Sequence, residues 1–95
     1  MYILDFVNLH SVETVDQARD EHRAFLMKHI DAGVFLVAGA KVPRTGGIII
    51  VANVPRERVE AIVAEAPLVR RGLATCSIVE FKSVLTAAGV PVDPR

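Results

Sequence analysis

The sequence predicts an α+β fold: a ferredoxin-like βαββαβ unit with a four-stranded antiparallel sheet, paired with a second copy of itself. Two observations predict the unit. Four short apolar stretches with strand chemistry and two amphipathic stretches of helical period follow one another in the order β-α-β-β-α-β. Ninety-five residues accommodate one such unit and little more. Right-handed crossovers then put the first and third strands at the centre of the sheet.

The first strand covers residues 2–9, YILDFVNL, apolar on both parities with Asp5 and Asn8 as interruptions, and reads as mostly buried. The first helix spans 14–31. Thr14 with Gln17 three residues on forms a capping box. Val15, Ala18, Phe25, Leu26 and Ile30 make its apolar stripe, and Gly33 offers the left-handed position that closes it. Residues 33–39, GVFLVAG, make the second strand. The polar loop AKVPRTGG, with Pro43, Gly46 and Gly47 as turn formers, leads to the third strand over 47–53, GIIIVAN. Its unbroken β-branched run suits a central position covered on both faces. The second helix has Pro55 in its first turn, a stripe of Val59, Ile62 and Val63 with Arg56, Glu57 and Glu60 outside, and a stop at Pro67. A short turn, LVRRG, precedes the last strand over 74–82, ATCSIVEFK. Residues 1–82 are thus the domain. Residues 83–95 are a tail, expected to be loose or to lie against a neighbour.

The third observation concerns the layers. Two helices cover one face of a four-stranded sheet, yet the first three strands are apolar on both faces. A second copy packed face to face is the simplest cover, so a homodimer or higher homo-oligomer is expected. The apolar fraction of 52% points the same way, being high for so small a chain.

Eleven basic and eleven acidic side chains cancel, so no field gathers nucleic acid or an anionic membrane. No apolar run approaches the roughly 20 residues of a spanning helix. The N-terminus lacks the basic and small-residue features of a signal peptide. A single cysteine, Cys76, forms neither a disulfide nor a metal-ligand spacing. A cytoplasmic protein is expected.

His22 sits inside the apolar stripe of the first helix. His29, seven residues on, is displaced by only about 20° around the axis. A packing role needs both ring nitrogens of each imidazole paired, because an unpaired buried polar group costs about 1–3 kcal/mol. His29 near the helix end can also, when protonated, favour the helix dipole. The chemical alternative is a cleft between helix and sheet in which His22 is general base or acid, since imidazole titrates near neutrality. Shared metal ligation is disfavoured, because two turns separate the rings by about 10 Å.

In the loop, Arg44 is a candidate to grip a substrate carboxylate, with the backbone amides of Gly46 and Gly47 beside it and the Thr45 hydroxyl as a further donor. Arg19 and Arg23 flank His22 and suit surface pairs with Asp16 and Asp20 or the mouth of the cleft. His10 is a loop residue able to reach the same cleft. Cys76 reads as packed, and Arg70 with Arg71 as a solvated pair.

Several segments together resemble the YciI-like (YCII-related) family. They are Arg19-x-x-His22-Arg23-x-Phe25-Leu26, Gly33 to Gly39, Pro43-Arg44-Thr45-Gly46-Gly47, Pro67-Leu68-Val69-x-x-Gly72-Leu73 and Ile78-Val79-Glu80-Phe81. The resemblance runs over residues 1–82. It implies a dimeric α+β barrel similar in fold to muconolactone isomerase, and small enzymes without cofactor or metal, one branch being dehydrochlorinases of a ring-cleavage product. It also implies a site pairing the histidine of the first helix, here His22, with the aspartate of a D-P-[FY] motif after the second helix. That motif stands here as Ala66-Pro67-Leu68, and Ala40 replaces a proline usual after the second strand. The lost carboxylate would have oriented the imidazole and raised its basicity. Glu65 and Asp5 are the candidate acids to replace it in kind.

Two functions follow as expectations. One is a cofactor-free lyase or isomerase in which His22 moves a proton on a small acidic or carbonyl substrate bound by Arg44, Thr45 and Gly46. The other is a non-catalytic dimeric module that binds a small ligand or a partner chain.

Overall fold

The computed structural model describes residues 1–94. Its elements are β1 (Tyr2–Asn8), α1 (Val12–Asp16), α2 (Arg19–Asp31), β2 (Phe35–Ala40), β3 (Gly46–Val51), α3 (Arg56–Glu65), α4 (Pro67–Arg70) and β4 (Ala74–Glu80). The sheet order is β2-β3-β1-β4, with every neighbouring pair antiparallel. The four strands and the central placing of the first and third agree with the predicted α+β, ferredoxin-like topology.

Alternation along the strands decides which side chains meet the helices. Tyr2, Leu4 and Phe6 of β1 point to the helical side, and their β3 partners across the ladder include Val51 and Ile49. They pack with Phe35, Val59, Ile62, Leu68 and Phe25 into one core. Fully burying a side chain of this size stabilises by about 1.5–3 kcal/mol. The one hydroxyl in that layer is satisfied, because the Tyr2 phenol donates to the Val54 carbonyl at 2.6 Å.

Several boundaries differ from the sequence reading. The first helix is two helices, and its cap is Ser11, whose hydroxyl accepts the Thr14 amide at 3.2 Å. The Thr14–Gln17 capping box does not form, since Gln17 ends α1. β2 starts at Phe35 rather than 33, because Gly33 (φ 74°) and Val34 close α2 with amides donated to Ile30 and His29. Pro55 caps α3 from outside rather than joining its first turn. Pro67 stops α3 but also opens α4, so the predicted turn at 68–72 is partly helical. β1 ends at Asn8, one residue early, and β4 at Glu80, two early. β3 is shifted to 46–51, and beyond it the Asn53 amide donates to the Val92 carbonyl at 2.7 Å. That bond ties part of the tail to its own chain. Arg95 lies outside the described residues.

The other sheet face carries Ile3, Val7, Val37, Ile48, Ile50 and Val79. Val37 and Val79 are 60% and 51% exposed, so no helix covers them. Among the described residues no helix is long and apolar enough to cross a membrane.

Candidate functional site

A cleft of about 240 Å³ opens between α1 and α2 on one side and the β2–β3 hairpin on the other. Its floor and walls are apolar, formed by Phe6, Val15, Leu26, Ile49 and Leu68 with the backbone of Gly46 and Gly47. Its polar groups are Asn8, Asp16, Arg19, His22 and Arg44.

Local structure explains how they converge. The Ser11 cap sets α1, which ends with Asp16. The chain then turns at Gln17 and Ala18, so that α2 opens with Arg19 at the mouth and His22 one turn deeper. The hairpin approaches from the sheet. The Asn8 amide donates to the Thr45 carbonyl at 2.9 Å, and a Cβ on Gly46 would overlap the Phe6 carbonyl oxygen. Only glycine lets β3 come that close to β1. Arg44, on the loop, forms a two-pronged ion pair with Asp16, in which Nη1 donates to Oδ2 at 3.2 Å and Nη2 to Oδ1. This pair joins the hairpin loop to α1. The Arg44 hydrogen bond holds the Asp16 carboxyl below its ordinary range, and the charges of Arg44 and Arg19 add to it.

His22 is the titratable group in the wall. Its ring lies against Phe25 with centroids 6.3 Å apart and meets Phe6 edge-on at 6.4 Å. Nδ1 is buried with no hydrogen-bond partner among the described residues, which leaves Nε2 as the accessible ring nitrogen of a residue that lines the cleft. Burial alone pushes the His22 pKa down, and no charged group contributes. The imidazole is therefore neutral at pH 7, and among the described residues no acid orients it.

Neither candidate acid reaches it. Asp5 points to the opposite sheet face, where Lys41 Nζ lies 2.6 Å from its Oδ1. The exposed Glu65 ends α3, and its charge acts on His29. Ala66 is fully buried in the core. His29 is 7% exposed and sits between Phe25 and Phe35, with centroids 5.1 and 4.9 Å away. Burial, with Lys28 next, lowers its pKa, so the charged, dipole-favouring form is disfavoured there.

Of the other candidates, His10 is exposed in a bend and lies outside the cleft lining. The Thr45 hydroxyl turns to the Pro43 carbonyl at 3.5 Å, and Thr45 is likewise outside the lining. Arg23 does not line the cleft, and Arg19 does. Arg70 and Arg71 are not merely solvated, because both pair with Glu21 and so tie α4 to α2. The Cys76 thiol is pushed up to about 11, chiefly by burial, and is inert at neutral pH. Among the described residues no three His, Cys, Asp or Glu side chains group closely enough to hold a metal ion.

Sequence reasoning missed Asn8 and Leu68 in the lining, and it missed Asp16 as the partner of Arg44. Twenty-eight residues separate Asp16 from Arg44, and no periodicity signals such a pair.

A model of the YCII-related domain family matches residues 2–82. No curated protein matches the chain. One similar solved structure is 5-chloro-2-hydroxyhydroquinone dehydrochlorinase (TftG) from Burkholderia phenoliruptrix AC1100, in complex with 2,5-dihydroxybenzoquinone. The TM-score is 0.70 at 18% identity, covering 86% of this chain and 94% of that one. The compound in that enzyme's name is a hydroquinone, with its ring intact, whereas the resemblance implied a ring-cleavage product.

Proposed function

The chain belongs to the YCII-related domain family, and from that premise we propose that it is a cofactor-free lyase or isomerase acting on a small acidic or carbonyl compound. His22 is the base, and Arg44 holds the substrate's acid or carbonyl oxygen. The observation that carries this reading is a neutral imidazole in the wall of an apolar cleft whose mouth is cationic. A base must be deprotonated at the working pH, and burial keeps His22 so.

The cleft volume suits a ring. An apolar cavity of about 150 Å³ accommodates benzene, so about 240 Å³ leaves room for a few polar substituents. The similarity in fold to a dehydrochlorinase bound to a dihydroxybenzoquinone supports the same class: a flat ring with acidic hydroxyl or carbonyl groups. In the step, His22 Nε2 takes a proton from a carbon next to the carbonyl, and the electron pair forms the enolate. Arg44 and the Gly46 amide stabilise the oxygen. The histidine then returns the proton at another carbon, or a leaving group departs with the pair.

The folded unit is the domain of residues 1–82, with 83–95 appended, and it works as a cytoplasmic homodimer in which a second copy covers the open sheet face. Neither nucleic acid nor membrane is a partner.

A second reading, a non-catalytic binding module, draws on two observations: Ala66 in place of the family aspartate, and the unpartnered Nδ1 of His22. Turnover of hydroxyquinone and unsaturated-acid substrates by wild type, His22→Gln and Ala66→Asp tests the choice. The expected profile rises with pH below 6.5 and is flat above, because only the neutral imidazole accepts a proton. It is abolished in His22→Gln. In Ala66→Asp a restored carboxylate raises the imidazole pKa and the rate together. Inactivity of all three chains favours the binding module.

A further inference from the structure

We propose that Asp16 is a specificity-determining residue, occupying the fork of Arg44 in place of the ligand's own acid group, so that the cleft retains ring compounds only when they carry an anion able to displace it. This rests on the cleft being a small-molecule site but not on proton transfer.

Three observations lead there. First, the Asp16–Arg44 pair stands at the mouth of the cleft and uses both prongs of the guanidinium, the geometry a ligand carboxylate would demand. As the site stands, its anion-binding group is already engaged. Second, the pair is half in water, with side chains 48% and 34% exposed. Pairs of that kind contribute little to stability and exchange readily. Third, Arg19 lines the same mouth and has no ion-pair partner among the described residues. Its charge already acts on Asp16. Two guanidinium groups thus face one carboxylate. An incoming anion brings the count to two and two, and Asp16, released from Arg44, turns to Arg19 rather than being left unpaired.

The apolar floor beneath supplies what the displaced pair lacks. A ring seated on Phe6, Leu26 and Ile49 gains burial, while its acid group remains at the mouth with Arg44. A neutral ring of equal size leaves the Asp16–Arg44 pair closed above it and gains nothing from the guanidinium. A free anion without a ring meets Asp16 on equal terms and has no burial to add. Asp16 therefore sets a threshold that an acid on a ring passes and either part alone does not.

Benzoate and its uncharged counterpart benzamide separate the terms, with binding followed by calorimetry or amide chemical shifts on the full chain. Asp16→Asn is expected to tighten benzoate about tenfold and to leave benzamide unchanged, while Asp16→Glu, which keeps the competing carboxylate, behaves like wild type. Arg44→Gln removes the gain in an Asp16→Asn background. Thermal melts confirm that each variant is folded. Unchanged or weaker benzoate binding in folded Asp16→Asn overturns the proposal, and so does benzoate ignored by every variant. His22→Gln separates the two readings. If Asp16→Asn tightens benzoate while no chain shows turnover, proton transfer alone fails. If His22→Gln abolishes turnover while Asp16→Asn leaves benzoate unchanged, the Asp16 assignment alone fails.

Discussion

His22 and His29 share a helix face and differ in what surrounds them. His22 opens one nitrogen to the cleft, whereas His29 is sealed between Phe25 and Phe35 with Nε2 unpartnered. Both are held below the ordinary pKa of 6.5, in each case chiefly by burial. The sign of the linkage follows. Below pH 6.5 the unfolded chain takes up protons that the folded chain refuses, so stability falls with acid until the folded-state values are passed, and it is flat above pH 6.5. Each such group contributes a slope of at most about 1.4 kcal/mol per pH unit. Replacing His29 by Leu removes one of them along with its unpaired nitrogen. His29→Leu should therefore lose less stability than wild type between pH 7 and pH 5, in urea melts run at both values. An equal or steeper loss would count against a buried neutral imidazole. The periodicity of the sequence placed both rings on the buried stripe, but it could not distinguish a ring beside a cavity from one beneath two phenyl groups.

At the scale of elements, the break at Gln17–Ala18 matters most. The apolar stripe from Val15 to Ile30 reads as one helix, because a short turn of similar pitch preserves the period. Ser11 and Thr14 are both capping residues, and only the three-dimensional chain reveals that Ser11 caps. The break frees α1 to carry Asp16 over the mouth while α2 lies on the sheet. With only five residues, α1 depends on its cap. Ser11→Ala should cost about 1 kcal/mol and lower Tm by about 4–8 °C, measured by circular dichroism. An unchanged Tm would mean the cap is idle. Gly46 shows the opposite balance. It was legible as a turn former, yet its necessity lies in the Phe6 carbonyl beside it, a neighbour 40 positions away in sequence.

At the scale of the whole molecule, the sheet has one face packed under helices and the other bearing Ile3, Val7, Val37, Ile48, Ile50 and Val79. The Asp5–Lys41 pair interrupts it, as do Ser77 and Thr75 of β4 opposite Asp5 and Val7. Self-association through this face is the proposal that sedimentation tests. At micromolar concentration a dimer is expected, and the double change Val37→Glu with Ile50→Glu is expected to yield a folded single subunit, since two charges facing their copies oppose burial. A wild-type chain that sediments alone would overturn the pairing.

The sequence by itself determined the order of the strands and of the helical stretches between them, the central strands, the buried stripe and the family pattern with its missing aspartate. Each of those is written in local period, turn chemistry or residue identity, which depend on near neighbours in the chain. The tertiary structure alone decided that Arg44 meets Asp16, that Asp5 lies on the far side of the sheet from His22, and that Arg70 and Arg71 clasp Glu21. Such pairings depend on which face a strand presents and on how closely two distant segments approach. A one-residue shift in register would reverse the face, and nothing in a linear pattern fixes that distance.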